Sequence, residues 1–91
     1  MIYKIIFSET ANSDIRKLKR CEPNVYKKLL KFLIEIQEHP YTGTGHPKPL
    51  GEDRTGQWSR RITQKHRLIY EIREDIVTIL VLSAYGHYGD K

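Results

Sequence analysis

The sequence predicts a single α+β domain in which two N-terminal helices pack on one face of a twisted antiparallel sheet. A short apolar strand pattern opens the chain, two amphipathic helical patterns follow, and three further strand patterns fill the C-terminal half. The expected order is therefore strand, helix, helix, strand, strand, strand. Ninety-one residues are enough for one hydrophobic core and too few for two, so we expect residues 1–91 to form one domain.

The first strand and both helices follow from local patterns. Residues 2–7 are mostly β-branched or aromatic, which is typical of a strand. Ser8 can cap a helix in which apolar residues recur at helical spacing as far as Cys21. Pro23 suits the first turn of a second helix, and a wide apolar stripe predicts that this helix covers residues 23–38.

The second half begins with a long connection and ends with three strands. Residues 40–56 hold three prolines and four glycines, which predict neither a helix nor an interior strand. Connections of this length are usually functional or disordered. Strand patterns follow at 57–63, 66–72 and 76–82, and the short turns between them predict an antiparallel meander. The last strand is apolar on both faces, so we expect it inside the sheet.

Composition limits the partners and the compartment. The net charge is +5, with sixteen lysines and arginines, which favours nucleic acid, an acidic protein or an anionic surface as partner. No apolar run is long enough to span a membrane, and the N-terminus lacks the layout of a signal peptide. The single cysteine has no partner for a disulfide, and no spacing suggests zinc. We therefore expect a cytoplasmic protein without a metal or cofactor.

Two adjacent arginines raise a question of register. Arg60 and Arg61 point to opposite faces of their strand, because side chains alternate. A two-residue turn at positions 64–65 would place Arg60 on the face of Arg67, whereas a longer loop or a bulge would place Arg61 there. The sequence leaves both alternatives open.

Several polar side chains could gather around these arginines. His46 and Lys48 would reach the region if the long connection folds over the sheet, and His87 and Tyr88 follow the last strand. Arginine binds phosphate through paired hydrogen bonds, histidine transfers protons near neutral pH, and aromatic rings stack on RNA bases. This set is coherent with metal-independent cleavage of RNA. Each residue also has a simpler interpretation as part of a mobile tail, an edge strand or a surface turn.

The segments GTGHPKPL and GQWSRRITQKHRLIYEI, followed by HY after the last strand, resemble the YoeB/Txe family of bacterial toxins, within the RelE/ParE superfamily. The resemblance covers nearly the whole chain. It implies a microbial-ribonuclease-like fold and the toxin of a type II toxin–antitoxin system, which cleaves messenger RNA on the ribosome without a metal, as an mRNA interferase. It also implies an acidic antitoxin similar to YefM or Axe, the ribosome and messenger RNA as partners, and a capacity to form homodimers.

The resemblance also implies roles for individual residues. Arg67, His87 and Tyr88 match the catalytic positions of the family, and Arg61 matches a position that binds substrate. Lys48 stands where the family usually has a glutamate that acts as general base, and we include it among the catalytic residues. The other predicted RNA contacts are Arg60, His46 and Lys65.

The lysine at the glutamate position leaves the general base open. Lys48 can serve as base only where neighbouring cations or burial favour its neutral form. His46 is a second candidate, and His87 could carry both proton transfers while Lys48 binds phosphate. A weakened toxin that only binds RNA, the ribosome or its antitoxin is the alternative function. A ParE-like inhibitor of a topoisomerase is a further alternative on the same fold.

Overall fold

The computed structural model describes residues 2–51, 54 and 56–86, and in this part of the chain two helices accompany a five-stranded sheet. The sheet has the strand order β1-β5-β4-β3-β2. The α+β class is confirmed, and the sheet gains one two-residue strand at its edge. In chain order the elements are β1 (Lys4–Phe7), α1 (Glu9–Cys21), α2 (Pro23–Glu38), β2 (Lys48–Pro49), β3 (Gln57–Arg61), β4 (Arg67–Arg73), a 3-10 helix (Glu74–Ile76) and β5 (Thr78–Ser83).

The helices begin and end where their capping residues predict. The Ser8 hydroxyl accepts a hydrogen bond of 3.0 Å from the Ala11 N–H, which satisfies one free donor in the first turn of α1. Pro23 occupies the first turn of α2, and the His39 N–H closes that helix on the Glu35 carbonyl at 2.8 Å. Neither of these helices is both long and apolar enough to cross a membrane.

The sheet is mixed, whereas the sequence predicted an antiparallel one. β5, β4, β3 and β2 pair antiparallel, but β1 runs parallel to β5, with Lys4 opposite Thr78 and Phe7 opposite Val81. In the sequence, two helices separate β1 from the other strands. Parallel strands need a long crossover connection of this kind, because a short turn can join only antiparallel strands. As expected, β5 lies inside the sheet, between β1 and β4.

The hydrophobic core lies between the helices and one face of the sheet. Leu18, Leu29 and Ile36 are fully buried on the helices, and they pack against side chains of β4 and β5. The contributions of the sheet to this core are Leu68, Tyr70, Ile72, Ile79 and Val81. Because side chains alternate along a strand, the residues between these core positions lie on the opposite face, which we call the open face.

Candidate functional site

The register of the β3–β4 hairpin decides which arginine accompanies Arg67. Arg61 lies directly opposite Arg67, and Arg60 lies opposite the core residue Leu68. Residues 62–66 therefore form the hairpin loop, which is longer than the two-residue turn considered above. Residues directly opposite each other on paired strands share a face, with their Cβ atoms about 4.5–5.5 Å apart. Arg61 and Arg67 thus form a pair on the open face.

Arg60 points the other way and is fully buried. Its guanidinium forms an ion pair with Glu35 of α2, and its Nε donates a hydrogen bond of 3.0 Å to the Tyr70 hydroxyl. The remaining N–H groups donate to the carbonyl oxygens of His39, Thr42 and Thr44. The prediction that Arg60 contacts RNA is therefore corrected, because no nitrogen of this guanidinium is left for a phosphate.

The buried arginine instead holds the start of the long connection against the sheet. Glu35 also accepts hydrogen bonds from the N–H of Thr44, at 2.8 Å, and from its hydroxyl, at 3.1 Å. Desolvation raises the pKa of Glu35, but the hydrogen bonds from Thr44 and Arg60 outweigh it and lower that pKa below its ordinary value. The hydrogen bonds that attach the loop to Glu35 thus favour the ionised form of its carboxyl group.

The connection then runs beside β3 and brings Lys48 to the open face. The Gly45 carbonyl accepts a hydrogen bond of 2.7 Å from the Arg61 N–H, and β2 pairs Lys48 with Ser59. Ser59 and Arg61 are two residues apart on β3 and share a face. Lys48 on β2 and Arg61 on β3 are therefore diagonal neighbours on paired strands, which lie about 7–8 Å apart. At that distance the long side chain of the exposed Lys48 can reach toward Arg61.

His46 lies at the end of β3, next to Arg61. Its backbone is left-handed, with φ of 52°, which turns the chain between Gly45 and Pro47. His46 and Arg61 line a cleft of about 340 Å³ together with Lys28 of α2. Lys28 was not among the residues predicted for the site, and no local pattern could have revealed its proximity to Arg61.

Gly86, the last described residue of the C-terminal segment, lies beside Arg67. The Arg67 N–H donates a hydrogen bond of 2.8 Å to the Gly86 carbonyl, and the Gly86 N–H donates one of 2.9 Å to Nδ1 of His66. The predicted catalytic residues His87 and Tyr88 lie outside the described residues. Their predecessor nevertheless lies next to the arginine with which they are expected to act.

Lys65 turns away from the open face. It is exposed in the hairpin loop, and its Nζ lies 3.9 Å from the Glu22 carboxylate at the junction of the two helices. The strand pairing therefore places Arg61 and Arg67 opposite each other with Lys48 on the neighbouring strand, and His46 lies beside Arg61 in a cleft shared with α2. Lys65 lies near Glu22 instead.

The open face can bind an anion through several cations at once. Two arginines and a lysine gathered on one face suit a phosphate, because guanidinium groups give directional hydrogen bonds to its oxygens. In the described part of the chain, no group of three or more His, Cys, Asp or Glu side chains could hold a metal ion. The guanidinium and ammonium groups of this face can bind phosphate, and lysine and histidine side chains can transfer protons.

Solved structures of toxins share this fold. A YoeB/ParE toxin from Agrobacterium tumefaciens superposes with a TM-score of 0.88 at 28% identity, over 93% of this chain and 99% of that one. The structure of a YoeB–YefM complex from Staphylococcus aureus matches with a TM-score of 0.81 at 30% identity, over 97% of this chain and 100% of that one. The fold and its cationic face thus define the class of RelE/YoeB-like toxins.

Sequence comparisons identify the family within this class. The sequence model described as a YoeB-like toxin of bacterial type II toxin–antitoxin systems matches residues 7–88. Toxin YoeB of Escherichia coli K12 is 33% identical over 85 residues, which cover 93% of this chain and 99% of that toxin. Toxin RelK of Mycobacterium tuberculosis is 42% identical over 62 residues, or 68% and 71% of the two chains. The chain belongs to the YoeB-like toxin family of bacterial type II toxin–antitoxin systems.

Proposed function

We propose that this toxin is a metal-independent endoribonuclease that cleaves messenger RNA on the ribosome in the cytoplasm. The observation that supports it most is the direct pairing of Arg61 with Arg67 on the open face. Lys48 on the neighbouring strand adds a third cation. Such a cluster matches the charge of a phosphodiester whose negative charge increases in the transition state.

The reaction would begin with attack of the ribose 2′-oxygen on the adjacent phosphorus. Lys48 or His46 accepts the proton of the 2′-hydroxyl as the new P–O bond forms. Arg61 and Arg67 bind the phosphate oxygens and stabilise the added charge. The products are a 2′,3′-cyclic phosphate, which water opens to a 3′-phosphate, and a 5′-hydroxyl.

The leaving 5′-oxygen needs a proton when the old P–O bond breaks. We assign this step to His87, which follows Gly86 in the chain, and we assign orientation of the phosphate or stacking on a base to Tyr88. The backbone hydrogen bond from Arg67 to Gly86 supports both assignments, since it places the residue before His87 next to Arg67.

An acidic antitoxin is the expected inhibitor. The basic charge of +5 favours an acidic partner, and the YoeB–YefM complexes from Staphylococcus aureus give an example in relatives. A YoeB dimer has also been solved from that organism. We propose a YefM-like antitoxin that blocks the open face, and a dimer as a second assembly of the toxin.

A reconstituted translation reaction tests the proposed activity. Arg67→Ala should lower the rate of messenger cleavage about 10²–10³-fold, the size of the effect when one group that stabilises transition-state charge is removed. Arg73→Ala is the matched control, because Arg73 lies at the other end of the same strand. We expect the control to cleave at the wild-type rate.

The ends of the fragments identify the chemistry. A 5′-hydroxyl with a cyclic or 3′-phosphate is the expected result. Translation arrest without cut messenger, unaffected by Arg67→Ala, would instead indicate a toxin that binds and does not cleave.

A further inference from the structure

His66 is a fully buried polar residue for which the proposed reaction has no use. It is the last residue of the hairpin loop and directly precedes Arg67. A buried imidazole requires hydrogen-bond partners for its nitrogens, and each of the two nitrogens of His66 has one. These partners come from parts of the chain that are distant in sequence, which indicates that the ring connects separate elements.

The two partners determine the tautomer of the ring. The Gly86 N–H lies 2.9 Å from Nδ1 and can only donate, so Nδ1 must be the acceptor. Nε2 lies 2.9 Å from the Glu22 carboxylate, which can only accept while it is ionised, so Nε2 carries the proton. A proton on Nδ1 would leave the Gly86 N–H without its acceptor.

The tail is held at this point by more than one contact. The Gly86 carbonyl accepts from the Arg67 N–H at 2.8 Å, so both polar groups of the Gly86 backbone are engaged. The Tyr85 ring packs on the imidazole with centroids 4.4 Å apart, and Lys17 of α1 lies 4.2 Å above the Tyr85 ring. These contacts hold Tyr85 and Gly86 against the hairpin loop and α1.

We propose that His66 is a positioning residue that, through its Nε2–H tautomer, anchors Gly86 beside Arg67. Gly86 directly precedes His87 in the chain, so the anchor fixes the backbone position from which the proposed catalytic histidine follows. Only the catalytic consequence depends on the proposed ribonuclease activity; the anchor itself is a property of the fold. A misplacement of about 1 Å in a catalytic group can cost about 10²-fold in rate.

A matched pair of substitutions separates anchoring from packing. Asn at position 66 can place its carbonyl oxygen near the place of Nδ1 and keep an acceptor for Gly86, but it loses Glu22. Gln can place its amide near the place of Nε2 and keep Glu22, but it loses Gly86. Both variants place an amide at a buried position, so thermal unfolding measures the loss of stability that each substitution causes.

Steady-state cleavage kinetics give the first result. His66→Gln should lower kcat about 10²-fold with little change in KM, whereas His66→Asn should stay within about 10-fold of the wild type. Equal losses of kcat in both variants, matched by equal losses of stability, would overturn the proposal, because they would mark His66 as a packing residue.

Nuclear magnetic resonance on the full chain gives an independent result. The ¹⁵N chemical shifts of the His66 ring should show that Nε2 is protonated and Nδ1 is unprotonated. Hydrogen exchange of the Gly86 amide should be slow in the wild type and in His66→Asn but fast in His66→Gln. A protonated Nδ1, or a Gly86 amide that is equally protected in His66→Gln, would refute the anchor. If the wild type does not cleave messenger, the ribonuclease proposal fails, while these measurements still decide the anchor.

Discussion

Arg60 and Arg61 are neighbours in sequence and have opposite environments. Arg60 is fully buried, where its charge is balanced by Glu35 and its N–H groups by carbonyl oxygens. A buried cation without such partners would cost several kcal/mol, so the network is a condition for its burial. Arg61 is exposed opposite Arg67 and is free of these constraints. One arginine therefore supports the loop, and the other is available to a ligand.

Lys48 is the residue on which the proposed mechanism depends most. We predict that Lys48→Ala lowers the rate of messenger cleavage about 10²-fold or more, the range for loss of a general base or of one charge-stabilising group. Restoring the glutamate typical of the family, Lys48→Glu, should be tolerated. The measurement is single-turnover cleavage in reconstituted translation. An unchanged rate in Lys48→Ala would place the base elsewhere, with His46→Ala as the next variant.

At the scale of elements, the long connection behaves as an added edge of the sheet. It contacts β3 near both ends, through the Gly45 carbonyl with the Arg61 N–H and through the Leu50 N–H with the Gln57 carbonyl, at 2.9 Å. Between these points β2 pairs with β3. This arrangement makes the position of Lys48 a consequence of backbone pairing.

Gly45 is the residue that makes this close approach possible. Its φ is +86°, and a Cβ there would lie 2.7 Å from the Phe32 ring and 2.8 Å from the Arg61 carbonyl oxygen. We predict that Gly45→Ala lowers the free energy of unfolding by about 1–3 kcal/mol, since both a strained φ and overpacking contribute. It should also slow cleavage by displacing Lys48.

Gly51→Ala is the matched control for this substitution. A Cβ at Gly51 meets nothing within 4 Å, and we expect its effect on stability to stay within about 0.5 kcal/mol. Urea unfolding and the cleavage assay provide the two measurements. Equal stability of the two variants would show that the backbone near Gly45 can shift to accommodate a methyl group without loss of stability.

At the scale of the whole molecule, two carboxylates join distant parts of the chain. Glu35 joins α2 to Thr44 of the long connection by a hydrogen bond and to Arg60 of β3 by an ion pair. Glu74 accepts hydrogen bonds from Tyr3 near β1, at 2.6 Å, and from Tyr41 in the connection, and these bonds lower the pKa of Glu74. Its partner Tyr41 has a pKa raised to about 12, chiefly by the same hydrogen bond to Glu74.

We predict that the fold loses stability in acid through these two groups. Both have a lower pKa when folded than when unfolded, so below the ordinary value of 4.5 the unfolded chain binds more protons. Their contribution is complete above that pH and is lost as the pH falls through the folded values. The measurement is the urea midpoint from pH 6 to pH 3.

Glu35→Gln isolates one of the two contributions. It should cost about 3 kcal/mol or more at pH 6, because the buried Arg60 loses its counterion, and it should show a shallower acid loss than the wild type. Glu38→Gln, at an exposed position on the same helix, is the control. An acid loss in Glu35→Gln as steep as in the wild type would assign the acid sensitivity to other carboxylates.

Local patterns determined much of this protein. The capping serine, the proline at the start of α2 and the three strand patterns separated by short turns identified the elements, because helix and strand formation depend on neighbouring residues. Segments of the sequence also carried the family resemblance, and the basic composition indicated an anionic partner.

Only the tertiary structure decided which side chains meet. The five-residue loop of the hairpin set the register, which buried Arg60 and paired Arg61 with Arg67. The two-helix crossover made β1 parallel to β5. The partners of His66 come from the helix junction and the tail. The β1–β5 pairing and the His66 contacts join residues far apart in the chain, and the hairpin register depends on a loop geometry that the sequence left open between two alternatives.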